Sequence, residues 1–197
     1  MRYTCHIFVA IALGAFLGAV ITLCTKTTNI SVNLDPSVPE KEEQPWVYEF
    51  MPSSISKYIC EYSEKLEIPS DLVVAILLQE NPDFQFDAVN KNLNGTIDCG
   101  LFQLNDRYIW SDFVPKYWSE LEIEFNPFNW KHNTFIALRH IKFLLDSLKV
   151  QDDVIMAYNC GIGAVMNDKI PSSTFVYLSR VKNNLEMLRR RNDTCEN

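Results

Sequence analysis

Seven residues, Leu72 to Leu78, are apolar without a break, and they constrain the fold more than any other stretch. A helix that is hydrophobic all round has no face to offer water, so it must lie inside a domain with other elements packed about it. Pro69-Ser70-Asp71 marks its start, with Ser70 the expected cap. Asn81-Pro82 marks its end, because proline disfavours helix at the residue before it. Three- and four-residue steps return to the same side, so Val73, Ile76, Leu77 and Glu80 share a face. Glu80 is therefore expected on the buried side of the central helix, although a frayed end with Glu80 turned to solvent fits the same spacing. A buried carboxylate is costly unless neutral or paired. Desolvation and the negative end of its own helix would both raise its pKa. A carboxylic acid still protonated near neutral pH is what general-acid cleavage of a glycosidic bond needs.

Around this helix the pattern from Ser53 onward is mainly helical. Ile55, Ile59, Tyr62 and Leu66 recur at helical spacing, with Ser53 or Ser54 as the cap. Further helices are expected over about 134–148, 152–159 and 173–190. Arg189, Arg190 and Arg191 suit the negative end of the last one, as a solvated helix end. Asn90 to Asn105 is rich in Asn, Gly and Asp and reads as a hairpin, with Asn94-Gly95 its strongest turn signal. The expected fold is mainly α, with a small β-hairpin element, over residues 53–191. Residues 192–197 form a short tail.

The first 52 residues differ in kind. Between Arg2 and Lys26 there is no Asp, Glu, Lys or Arg, and Ile7 to Leu23 is the most apolar part. That length lies between a long signal-peptide core and a minimal membrane span. No Ala-x-Ala-like site stands out, and Leu23 is large for lipoprotein processing at Cys24. Residues 1–25 are therefore expected to be an uncleaved membrane anchor in preference to a cleaved signal, with the rest of the chain exported. Residues 26–52 carry Pro36, Pro39, Pro45 and an acidic cluster at Glu40, Glu42 and Glu43. Such a segment buries too little apolar surface to offset its ordering entropy and reads as a tether. Trp46, Tyr48 and Phe50 are candidates to dock on the domain surface.

Composition excludes several chemistries. A net charge of −7 gives no strong pull toward nucleic acid or anionic lipid. The three histidines are scattered, and there is neither a Cys-x-x-Cys pair nor a His-Glu-x-x-His, so no metal site is expected. No glycine-rich phosphate loop is present, and nothing calls for a cofactor. Cys60, Cys99, Cys160 and Cys195 lie beyond the apolar segment. They allow three pairings, which sequence alone does not resolve, or they remain as buried thiols.

Three motifs then come in order. Glu80-Asn81-Pro82-Asp83-Phe84 is followed by Asn94-Gly95-Thr96-Ile97-Asp98-Cys99-Gly100-Leu101-Phe102-Gln103-Leu104-Asn105, and later by Ala157-Tyr158-Asn159-Cys160-Gly161. This resembles the lysozyme-like lytic transglycosylases of bacterial cell walls, in the style of the small ones that accompany secretion systems and pili. That family shows Glu-Ser at the end of a buried helix, then Gly-Leu-Met-Gln, then Ala-Tyr-Asn-Ala-Gly. It often ends on a tyrosine such as that of Tyr177-Leu178-Ser179-Arg180-Val181. Asn126-Pro127, followed by Asn133 and Ala137, looks like its central-helix lead-in.

The resemblance implies a lysozyme-like α+β fold whose β element lines a substrate cleft. It implies cleavage between N-acetylmuramic acid and N-acetylglucosamine in peptidoglycan glycan strands, with Glu80 the catalytic acid and a 1,6-anhydro sugar as product. Gln103 would hydrogen-bond sugar and Phe102 would form an apolar wall. Tyr158 would stand near Glu80, Asn159 would bind an acetamido group, and Tyr177 would line the cleft. Read alone, Tyr177 is equally a core aromatic, and Tyr158 and Asn159 are equally a core aromatic and a helix cap. The same fold would bring the β element to the Ala-Tyr-Asn helix, which implies that Cys99 pairs with Cys160 and Cys60 with Cys195. The run from Asn92 to Asn105 also resembles the β-hairpin of animal c-type lysozymes, where the aspartate is a second catalytic carboxylate. Asp98 would then stabilise an oxocarbenium-like state or act as nucleophile in a muramidase; by itself it also reads as an Asx-turn residue. Asn81 replaces the family serine, which leaves room for a wall-binding scaffold without turnover. An anchored domain would work in the cell envelope outside the cytoplasmic membrane, on wall within tens of ångströms of it, as in clearing a path for an envelope-spanning machine.

Overall fold

The computed structural model describes Tyr48, residues 50–118 and residues 124–195, with side chains as far as Arg191. The expected anchor, most of the tether, Trp46 and the last residues of the tail lie outside these. Among the described residues no helix is long and apolar enough to cross a membrane.

Eight helices and one small sheet follow each other among the described residues. They are α1 (Ser53–Leu66), α2 (Ser70–Glu80), β1 (Val89–Lys91), β2 (Ile97–Cys99), β3 (Leu104–Asn105), α3 (Tyr108–Asp112), α4 (Val114–Trp118), α5 (Trp130–Ser147), α6 (Gln151–Cys160), α7 (Ile162–Met166) and α8 (Ser172–Cys195). The chain is mainly helical with a three-stranded antiparallel sheet in the order β1-β2-β3.

The apolar run behaves as its composition demands. Leu72 to Leu77 are all buried, and α2 lies between α1 and α8. Each such side chain contributes roughly 1.5–3 kcal/mol when fully withdrawn from water. The 24-residue α8 runs along α2. Val181, Leu185 and Leu188 are buried in the same core. Polar contacts fix the register between the two helices: Asn184 Nδ2 donates to the Ala75 carbonyl at 3.1 Å, and Arg189 pairs with Asp71 at 3.3 Å.

The serine caps are a correction. Pro52 and Pro69 occupy the cap positions of α1 and α2, and neither helix has a side-chain cap. Proline supplies a suitable fixed φ and has no N–H to satisfy, which frees nearby serines for another task. Ser56 Oγ accepts from Tyr48 N–H at 2.9 Å, and Ser70 Oγ lies 3.2 Å from the Tyr48 hydroxyl. Tyr48 is thereby drawn into the core, with Met51 beside it.

Asn133 is one of the side chains that hold the sheet to the helices. Asn133, near the start of α5, is fully buried. Its Oδ1 accepts from Phe102 N–H at 2.7 Å, and its Nδ2 donates to the carbonyls of Cys99 and Pro127, both at 3.0 Å. This close approach is open only because residue 100 is glycine, at φ +75°. Any Cβ there would overlap the Pro127 carbonyl oxygen and the Asn133 amide nitrogen.

The expected Cys99–Cys160 disulfide is absent: both residues are thiols. The β element and α6 do meet, but through Tyr158, whose hydroxyl donates to the Phe102 carbonyl at 3.0 Å. Cys160 is two residues on, about 200° round the helix, and so points away from Cys99. The Cys195 side chain lies outside the described residues, and the Cys60–Cys195 pairing with it.

Gly100→Ala is expected to destabilise the domain by about 3 kcal/mol, from backbone strain at positive φ plus overpacking. A fall in the urea midpoint at unchanged m-value would register it.

Candidate active site

Glu80 is the last residue of α2. Beyond it the chain leaves the helix at Asn81, which is itself buried. The Asn81 side chain donates to the Gln85 carbonyl at 2.6 Å and accepts from Gln85 N–H at 3.0 Å. This two-point clamp shapes the exit loop and leaves the Glu80 carboxyl alone.

The partner of that carboxyl comes from the far end of the chain. Tyr177, in α8 and only 7% exposed, donates its hydroxyl to Glu80 Oε1 at 2.6 Å. Part of Glu80 stays reachable from solvent while its carboxyl is surrounded by protein. Burial pushes its pKa up from 4.5 to about 7. The Tyr177 hydrogen bond opposes this rise, and the charge of Asp98 adds to it. Tyr177 and the buried Tyr158 hydroxyl are both held well above their usual range, first by burial and then by the nearby Glu80 charge. They are therefore neutral donors at any working pH. Glu80, Asp98, Tyr158 and Tyr177 thus share one electrostatic neighbourhood.

Asp98 sits on the central strand. In the sheet register Asn90 and Asn105 are its direct partners, and such partners share a face. Asn105 Nδ2 donates to Asp98 Oδ1 at 2.7 Å, and Asn92 Nδ2 donates to Oδ2 at 2.8 Å. The two amides, one on each oxygen, fix the orientation of the Asp98 carboxyl group.

Gln103 and Phe102 hold places other than those expected. The Gln103 amide is turned inward: Oε1 accepts from Asn90 at 2.6 Å, and Nε2 donates to the Gly100 carbonyl at 2.7 Å. It braces the β turn at a left-handed φ of 48°. The Phe102 ring is fully buried, a correction to its expected role as a cleft wall. Its contribution is made by the backbone, which is gripped by Asn133 on one side and Tyr158 on the other. Asn159 is exposed, and its Oδ1 accepts from the buried Thr174 hydroxyl at 2.8 Å. That bond occupies its amide oxygen.

Three side chains went unread in the sequence. Asn92 and Asn105 were part of a turn-rich string whose individual roles depend on register. His140 lies 5.6 Å, ring to ring, from Tyr158 and stacks among Phe113 and Phe143. Burial lowers its pKa from 6.5 to about 4, so it is a neutral wedge behind Tyr158. No group of His, Cys, Asp and Glu among the described residues is arranged to hold a metal ion.

The family model described as Transglycosylase SLT domain matches residues 57–174. The match runs from α1 into α8 and takes in Glu80, the hairpin, Tyr158 and Asn159. The chain belongs to this transglycosylase family. Members act on peptidoglycan in the cell envelope, and the lysozyme-like α+β fold is the one described above. Tyr177, which holds the carboxyl of this SLT domain, lies just past the matched stretch. No curated protein and no solved structure gives a significant match.

A carboxyl whose pKa is higher folded than unfolded adds its full stabilisation below the unfolded value and loses it as pH rises through the folded one. For Glu80 that window is 4.5 to about 7. Glu80→Gln removes the titration. Between pH 4.5 and 8 wild type is therefore expected to lose about 2–3 kcal/mol relative to the variant, read from paired urea unfolding curves at the two pH values.

Proposed function

We propose that this SLT domain is a peptidoglycan lytic transglycosylase that cleaves the β-1,4 bond between N-acetylmuramic acid and N-acetylglucosamine. The observation that carries this reading is Glu80: a carboxyl surrounded by protein, with a pKa of about 7 and one oxygen held by Tyr177. Such a group is half-protonated at neutral pH, so it can serve first as acid and then as base.

In the first step Glu80 gives its proton to the bridging oxygen, the C1–O bond breaks, and the N-acetylglucosamine side leaves as an alcohol. The muramic acetamido oxygen bonds to C1 as internal nucleophile, so one enzymic carboxylate suffices. In the second step ionised Glu80 takes the proton of the C6 hydroxyl. That oxygen bonds to C1 and displaces the acetamido oxygen. The 1,6-anhydro ring closes, Glu80 regains its proton, and no water is consumed. Tyr177 stabilises the ionised form between the steps. Asp98 supplies negative charge near the cationic intermediate, and the exposed Asn159 meets an acetamido group. Gln103 acts through the turn it braces.

A muramidase is the second reading, supported by the clamp of Asn92 and Asn105 on Asp98, which suits a fixed second carboxylate. A non-catalytic scaffold draws less support, because Asn81 spends its amide on the exit loop. We further propose that residues 1–25 anchor the chain in the cytoplasmic membrane and residues 26–52 tether it. The domain beginning near Ser53 would then stand outside, where cleavage of nearby wall serves an envelope-spanning machine.

Digestion of purified peptidoglycan by the full chain is expected to release fragments one water lighter than hydrolysed muropeptides, with none from Glu80→Gln. Full-mass reducing ends would instead make the enzyme a muramidase with Asp98 as second catalyst. Intact wall after binding would sink both. Tyr177→Phe removes the bond that lowers the Glu80 pKa, so the alkaline limb of its pH–rate profile is expected to move upward from about 7.

A further inference from the structure

On another face of the domain, α1, α4 and α5 line an open cavity of about 470 Å³ that includes none of the residues of the candidate active site. That volume lies within the range of small-ligand sites. Its lining carries four cations and two acids: Lys65, Lys116, Arg139 and Lys142, with Glu67 and Asp146. In a chain of net charge −7 such a local excess of cations is unusual.

Internal pairing reduces the set to three. Lys142 is joined to Asp146 at 2.8 Å, and Lys65 to Glu61 at 2.6 Å. Among the described residues Lys116, Arg139 and Glu67 have no ion-pair partner. The two remaining cations are placed by aromatic rings. Lys116 Nζ stands 5.1 Å from the Tyr117 ring centre, and Arg139 Cζ stands 5.6 Å from Tyr117 and 5.4 Å from Phe135. Arg139 Nε is buried without a hydrogen-bond partner. Ring faces attract cations without neutralising them, so both keep their full charge for a ligand.

The lining also selects among anions. The unpaired Glu67 disfavours a compact, multiply charged ion such as phosphate. Tyr117, Phe143 and Leu66 favour a ligand with carbon bulk. Two unpaired cations and one unpaired acid match a zwitterion that carries more carboxylates than amines.

We propose that this cavity is an accessory site for the peptide stem of the wall, a short chain with free carboxylates and a side-chain ammonium. Stem carboxylates meet Lys116 and Arg139, and the ammonium meets Glu67. The site rests on the reading of the domain as a peptidoglycan enzyme. It makes the enzyme sensitive to peptide substitution away from the bond it breaks.

The test is calorimetric titration of the full chain with a synthetic stem tetrapeptide, beside inorganic phosphate. Lys116→Gln with Arg139→Gln is expected to weaken peptide binding at least tenfold, and the exposed Lys116→Gln alone several-fold. Digestion of peptide-free glycan strands should match wild type in both, which also reports that they fold. No peptide binding by wild type, binding unchanged in the single and double variants, or phosphate binding as tightly as peptide would overturn the proposal. Peptide binding that depends on these two cations, from a chain that leaves glycan strands intact, would uphold the site while refuting the catalytic reading.

Discussion

A carboxyl group withdrawn from water must be neutral or hydrogen-bonded to be tolerated, and in this domain both requirements fall on Glu80. Meeting them requires α2 to be covered on every side, which explains why α8 is the longest helix described and why it runs along α2. The same helix that closes the core brings Tyr177 to the carboxyl. Packing and chemistry are therefore one arrangement. Residues 97 positions apart in the chain meet because an all-apolar helix cannot be left uncovered.

A second set of contacts fixes the sheet. Asn133 reaches it from α5, Tyr158 reaches it from α6, and Gln103 braces it from within. All three act on a backbone stretch of four residues, Gly100 to Gln103. Buried side-chain amides are costly when unpaired and strong when fully paired. Asn133, with three hydrogen bonds in a dry setting, is of the second kind. Where a disulfide would have been one means of joining the wing to the helices, hydrogen bonds to backbone carbonyls do it instead.

Much of this was legible in the chain. The central helix, its stop at Asn81-Pro82, the hairpin about Asn94-Gly95 and the three later helices all follow from periodicity and turn chemistry, which are local. Glu80 followed from the face it shares with Val73, Ile76 and Leu77. Less legible was anything set by distant pairing. Tyr177 reads equally as core and as cleft, and in the fold it is a buried residue whose hydroxyl holds Glu80. The short helices α3, α4 and α7 were missed, since five residues are too few for a period to show. The motif residues Phe102 and Gln103 drew attention to the right turn. Yet the conformation of that turn, with Gln103 at positive φ, turns both side chains inward.

The join between wing and helices bears on how the cleft can work. With Gly100 pressed against the Pro127 carbonyl and Asn133, and with Tyr158 tied to the adjoining residue, the β wing has little room to swing. On this packing it would serve as a fixed wall and not a jaw. If the domain cleaves glycan strands as proposed, a cleft of set width cannot tighten on a sugar after it enters, so any flattening of the ring toward the transition state must be driven from elsewhere. The remaining source is attachment of the strand at sites along its length, where contacts remote from the reacting carbon supply the force. Such a machine would grip a long polymer well and a disaccharide poorly.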